Sequence, residues 1–133
     1  MSFLLELDTC RALLKGNRLV HSQFLQYQGR LFVSAVTILE MELWLLHRNT
    51  PARHQFVYGA MRNDLQVLGV DDGVAHVAAR TGARQAAAGK RLALTDLLIT
   101  ATAAVHGLTL VTHRRPTLFT HVPGLAVVDW LAP

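Results

Sequence analysis

The sequence predicts an α/β fold: a three-layer α/β/α sandwich with a mainly parallel central sheet. Short β-branched apolar runs alternate with longer segments of helical periodicity. The apolar runs are nearly continuous, as expected of strands covered on both sides. No repeat, linker or low-complexity stretch interrupts the pattern, so residues 1–133 read as one domain.

Residues 3–7 read as the first buried strand, and Asp8-Thr9 supplies an N-cap signal for a helix over 10–15 that Gly16-Asn17 ends. A second helix over 18–28 carries Leu19, Val20, Phe24, Leu25 and Tyr27, stops at Gly29, and precedes a strand at 31–34. Thr37-Ile38-Leu39-Glu40 has the form of a capping box, and the helix it opens is apolar on most of its surface through Met41, Leu43, Trp44, Leu45 and Leu46. Trp44, Met41 and Leu45 read as core or as a face for a second copy. Thr50 as N-cap and Pro51 as first helical residue open the next helix, with 67–70 readable instead as a short extended segment. Asp71-Asp72-Gly73 begin a helix through about Ala88 with an Ala-rich face, stopped by Gly89. A mostly apolar helix over 97–105, opened by Asp96 and stopped by Gly107, leads into a strand at 108–112. Arg114-Arg115-Pro116 then form a basic turn, 117–121 one helical turn, and 125–128 a last strand ending near Trp130.

Composition narrows the function. An apolar share of 51% and a mean hydropathy of +0.28 exclude a disordered chain. No run approaches the roughly 20 uncharged apolar residues of a membrane span, and the start lacks the basic region of a signal peptide. The single cysteine, Cys10, cannot form an internal disulfide, which suits a reducing cytoplasm; it has no recognisable His–acid partner and reads as a small buried residue. The seven histidines show no zinc-like spacing, and there is no Gly-rich phosphate loop. Thirteen Lys and Arg against nine Asp and Glu give a net charge of +4, and eleven of the thirteen are Arg, which suits a phosphate-bearing partner.

With so few acids, those in apolar surroundings stand out. Asp8 follows the first strand, and Glu40 lies in the first turn of the helix after the second. In a parallel sheet both positions fall at the carboxyl edge, where ligands gather. Asp96 opens the helix before a later strand, so the pattern alone leaves its place relative to the sheet open. Carboxylates brought together there repel one another and call for a cation, and hard oxygen donors suit Mg²⁺ or Mn²⁺. Each acid also has a local alternative: Asp8 as a helix N-cap, Glu40 as the capping-box partner of Thr37, Asp96 as a partner of the helix dipole. Glu6 and Glu42 alternate with core positions and are expected to be structural or exposed.

Four segments occur in order across essentially the whole chain: Phe3-Leu4-Leu5-Glu6-Leu7-Asp8-Thr9; Val33-Ser34-Ala35-Val36-Thr37-Ile38-Leu39-Glu40; Asp96-Leu97-Leu98-Ile99-Thr100-Ala101-Thr102-Ala103 with His106-Gly107-Leu108-Thr109-Leu110-Val111-Thr112; and Val122-Pro123-Gly124-Leu125 with Trp130. Together they resemble the PIN-domain family, and within it the VapC-type toxin ribonucleases. The resemblance implies an α/β/α sandwich, a Mg²⁺- or Mn²⁺-dependent endoribonuclease, a homodimer, and a small antitoxin protein that blocks the site. It also implies that Asp8 and Asp96 hold the metal, that Glu40 helps position it and the attacking water, and that Thr9 and Thr112 line the site. Arg11 and Lys15, four residues apart on one helix face, and Arg114 and Arg115 with His113 are then expected to flank the acids and hold RNA phosphates; an ordinary solvated surface is the alternative. One position departs from the family. A fourth acid usually precedes a Phe after the strand ending at Thr112; Phe119 matches that Phe, and Leu118 occupies the acid's place. This opens a second expectation, a catalytically weak or inactive PIN-like protein that binds RNA or a partner.

Overall fold

The computed structural model describes residues 1–47, 49–113 and 122–132. Its elements run β1 (Phe3–Leu5), α1 (Leu7–Leu14), α2 (Arg18–Gln26), β2 (Leu31–Ser34), α3 (Ala35–His47), α4 (Ala52–Asn63), β3 (Gln66–Leu68), α5 (Asp72–Ala87), α6 (Leu94–His106), β4 (Thr109–Val111) and β5 (Val127–Val128). The strands form one sheet in the order β3-β2-β1-β4-β5, and every pairing is parallel. In register, Phe3 faces Leu31 on one side and Thr109 on the other, so β1 is the central strand.

The alternation of side chains along a strand divides the core in two. Phe3 and Leu5 of β1 point to one side, where they pack with Leu13, Val20, Phe24, Met41 and Met61 from α1 to α4. Leu4 points to the other, against Ile99 and Ala103 of α6 and Leu110 of β4. Phe3, Leu4 and Leu5 are all buried, each contributing about 1.5–3 kcal/mol of transfer free energy. A third cluster, Val74, Ala78 and Ala101, seats α5 on α6. The predicted α/β/α layering is thus present.

Several helix starts differ from the expected ones. α1 begins at Leu7, so Asp8 lies inside the first turn and is not the cap. α3 begins directly after β2: the Ser34 hydroxyl accepts the Val36 N–H at 3.1 Å, and the capping box at Thr37 is not formed. Ser34 wins because it sits where the strand already turns, which leaves Thr37 inside the helix, buried and with its hydroxyl unpaired among the described residues. Glu40 is therefore no capping partner. Pro51, not Thr50, occupies the N-cap of α4, and the Thr50 hydroxyl donates instead to the Leu45 carbonyl at 3.4 Å. The stretch at 66–68 is extended and pairs with β2. The last strand is shorter than expected, Val127–Val128.

α6 starts at Leu94 and ends at Gly107, whose φ of 64° only a residue without a Cβ adopts freely. That turn lets the Leu108 N–H bond the Ala103 carbonyl at 2.9 Å and sends the chain straight back into β4. α6 therefore runs antiparallel to the strands it covers, and its first turn, with Asp96, lies at their carboxyl edge. Among the described residues no helix is long and apolar enough to cross a membrane.

Candidate active site

The carboxyl ends of β1 and β4 are joined by Asp8. One oxygen of its carboxylate, Oδ1, accepts the Thr9 N–H at 2.7 Å and faces the Thr9 hydroxyl at 3.3 Å. The other, Oδ2, accepts the His113 N–H at 2.7 Å and lies 3.3 Å from the Thr112 hydroxyl. The first pair of contacts is local; the second reaches 105 residues along the chain. Asp8 is thereby held in one orientation from two strands, as a residue at a reacting centre must be.

Glu6 sits beneath it. This residue precedes α1, its N–H bonds the Val111 carbonyl at 3.0 Å, and its side chain is only 2% exposed. Its Oε2 accepts the Thr112 hydroxyl. A hydroxyl carries one proton, so Thr112 shares it between two carboxylate acceptors and holds it closer to Glu6 than to Asp8. Two carboxylates thus flank one hydroxyl, a crowding of negative charge that favours a cation nearby. Cys10 registers that charge: burial, and then Asp8 and Glu6, push its thiol up to about 12. It stays protonated at neutral pH and is no nucleophile.

The structure brings Asp8, Thr9, Thr112 and His113 into direct contact. Asp96 is 5% exposed in the first turn of α6, and Glu40 is half-buried on α3, which leaves the same sheet edge at Ser34. Neither is a cap residue. Arg11 and Lys15 do share a face of α1, and both lie over the Trp44 ring, with Arg11 Cζ 5.3 Å and Lys15 Nζ 5.9 Å from its centroid. Arg114, Arg115, Leu118 and Phe119 lie outside the described residues.

Two further acids stand at this site: Glu6, which the sequence marks as structural or exposed, and Asp129, which it does not single out. Glu6 is buried at the strand–helix junction. Asp129 directly follows β5, as Asp8 follows β1 closely, and that shared placement was the signal available. Its Oδ2 lies 2.9 Å from Nδ1 of His113, whose ring is 58% exposed, and its Oδ1 accepts the Leu131 N–H at 2.8 Å. The bond and charge of Asp129, with a smaller effect from Asp8, raise the His113 pKa above its ordinary value. Burial works to raise Asp129, but the bonds from His113 and Leu131 outweigh it and hold the carboxyl below its usual range.

Among the described residues no three His, Cys, Asp or Glu side chains are grouped tightly enough to enclose a metal. The donors present are all hard oxygens, from carboxylates and the Thr112 hydroxyl. Such a set fits Mg²⁺ or Mn²⁺ held through one or two carboxylates, with waters and substrate phosphate completing the shell, and does not fit an all-protein cage.

A family model described as the PIN domain matches residues 8–114. No curated protein matches. Among solved structures, the chain is 25% identical to one in the DNA-bound VapBC of Salmonella typhimurium, with a TM-score of 0.88 and 98% of each chain covered. It is 16% identical to one in VapBC2 of Rickettsia felis bound to a promoter DNA fragment, with a TM-score of 0.88 and 98% and 99% covered. It is 22% identical to one in FitAcB of Neisseria gonorrhoeae, with a TM-score of 0.81 and the same coverage. The latter two likenesses are of fold.

Proposed function

The chain belongs to the PIN-domain family, and from that premise we propose that it is a Mg²⁺- or Mn²⁺-dependent endoribonuclease, the toxin of a toxin–antitoxin pair. The observation that carries this reading is the grip on Asp8 by donors from both β1–α1 and the end of β4. Asp8 and Asp96 would hold the ion, and Glu40 would orient the attacking water. A bound divalent ion would supply an activated water and offset charge developing on the phosphate. Thr112, whose proton lies toward Glu6 and Asp8, would offer an oxygen lone pair to that ion or to its water. Thr9 and the His113 N–H keep both Asp8 oxygens aimed, so reorganisation during the reaction is small.

A small antitoxin is supported by a groove of about 530 Å³ with Leu13, Leu14 and Val57 along it and Lys15, Arg18 and Arg53 at its rim. It suits a partner segment that is apolar with acidic flanks. A homodimer is supported by Leu39, Leu43 and Leu46, which recur on one side of α3 and are all exposed, while Met41 and Leu45 fill the core. Leu118 at the place of the family's fourth acid favours a second reading, a PIN-like protein that binds RNA or a partner with weak or no catalysis.

The test is cleavage of structured RNAs with added Mg²⁺ or Mn²⁺ by the wild type, by Asp96→Asn and under a chelator. Cleavage lost in both controls is the expected result. An inactive wild type that also fails to bind Mn²⁺ by calorimetry selects the binding protein.

A further inference from the structure

We propose that the outer face of α5 and the turn after it form the track along which single-stranded RNA reaches the candidate active site. This rests on the ribonuclease reading and adds the surface that would guide the substrate. Residues 73–95 contain no Asp or Glu and carry Arg80, Arg84, Lys90 and Arg91, four of the chain's thirteen cations. His76, Arg80 and Arg84 recur every four residues, rising about 6 Å a step along one face. All are exposed, opposite the buried side made by Val74, Ala78, Thr81 and Gln85. Ala79 and Ala83 lie between them and Ala87 just beyond, all exposed, so that this neighbouring row carries nothing longer than a methyl to hold a polyanion away.

The chain leads from this face through Lys90 and Arg91 into α6, whose first turn carries Asp96. A Cβ placed on Gly82 would lie 3.0 Å from Cδ1 of Leu97, so the last turns of α5 run tightly against the first turn of α6. After α5, Gly89 takes φ 76° and the Lys90 N–H bonds the Gln85 carbonyl at 2.8 Å, folding the chain back. Lys90 and Arg91 then lead directly into α6. Among the described residues no acid pairs with Arg80, Arg84, Lys90 or Arg91, whereas Arg62 is paired with Glu42 and Arg11 and Lys15 rest on Trp44. Guanidinium groups grip phosphate in bidentate fashion, and a row of them recognises a chain of phosphates without reading sequence.

The experiment is fluorescence anisotropy of a fluorescein-labelled mixed-sequence 12-nucleotide RNA, with chelator present so that nothing is cleaved, across a salt series. The quadruple variant Arg80→Glu/Arg84→Glu/Lys90→Glu/Arg91→Glu is compared with wild type and with Arg30→Glu/Arg62→Glu. Each phosphate contact contributes about 0.7 to the log–log salt slope for single strands, so the quadruple variant should lose about 2–3 from the slope and bind at least tenfold more weakly. The Arg30/Arg62 variant should change little. An unaltered slope in a quadruple variant of native circular dichroism overturns the track, as does an equal loss in the Arg30/Arg62 variant. If charge reversal prevents folding, the neutral Arg80→Gln/Arg84→Gln variant carries the same test at about half the effect. Binding that depends on the track in a protein that never cleaves would retain the surface and remove the nuclease reading. Cleavage indifferent to the quadruple variant would do the reverse.

Discussion

The two ends of α1, a helix of eight residues, meet opposite environments. At its start, Asp8 and Thr9 are tied by directional hydrogen bonds to Val111, Thr112 and His113. Past its middle, Arg11 and Lys15 lie on the face of Trp44, which itself stacks on His54 with ring centroids 5.7 Å apart. There, among the described residues, polar atoms lack hydrogen-bond partners: Arg11 Nε and both ring nitrogens of the buried His54. Hydrogen bonds specify angles, and stacking specifies mainly proximity. The first region can therefore fix a reacting geometry, while the second fastens α1, α3 and α4 to one another.

The largest break in this comparison comes at Thr112. Thr112→Val keeps the shape and removes the proton that Glu6 accepts, which should cost about 1–3 kcal/mol in urea unfolding. Thr112→Ser should retain most of that stability. Equal stability of the two would mean the network contributes no more than the aromatic patch. Trp44→Leu should cost less, about 1 kcal/mol, since an apolar side chain remains and two partly exposed cation–π contacts go. Metal-dependent RNA cleavage by Trp44→Leu should stay within about twofold of wild type; a large loss would move the patch into the working site.

The smallest effect concerns pH. The His113 pKa is raised, so its contribution to stability is complete below the ordinary histidine value and fades as pH rises through the raised one. Asp129 is lowered, so its contribution is present above the usual carboxylate range and is lost as pH falls through the lowered value. The pair is strongest between those limits. By NMR titration, Asp129→Asn should bring the His113 midpoint down toward its ordinary value; an unmoved midpoint would show that the pair does not persist in solution.

β1 and β2 were legible because each is short, apolar and followed by a helix signal, and Gly107 announced the turn into β4; the exposed β3 also fits helical spacing and was open to either reading. Helix starts were less so. The capping pattern at Thr37 matched a known form, yet Ser34 was nearer the end of the strand and took the role. Asp8, Thr9, Thr112 and His113 could be singled out one by one, but their mutual bonds depend on β1 lying beside β4, which no local pattern states. Glu6 was hidden for a related reason: strand alternation stops at Leu5, and beyond it the chain turns the side chain inward toward a residue 106 positions away.

The span between Asp8 and His113 also governs when the geometry around Asp8 can form. During synthesis, Asp8 leaves the ribosome early, but the backbone group that orients its second oxygen is made 105 residues later. At about 5–20 residues per second that gap lasts several seconds. A nascent chain that has not yet placed β4 beside β1 carries every early acid and no assembled site. The long-range pairing thus acts as a delay: the geometry around Asp8 forms only after most of the chain has been made.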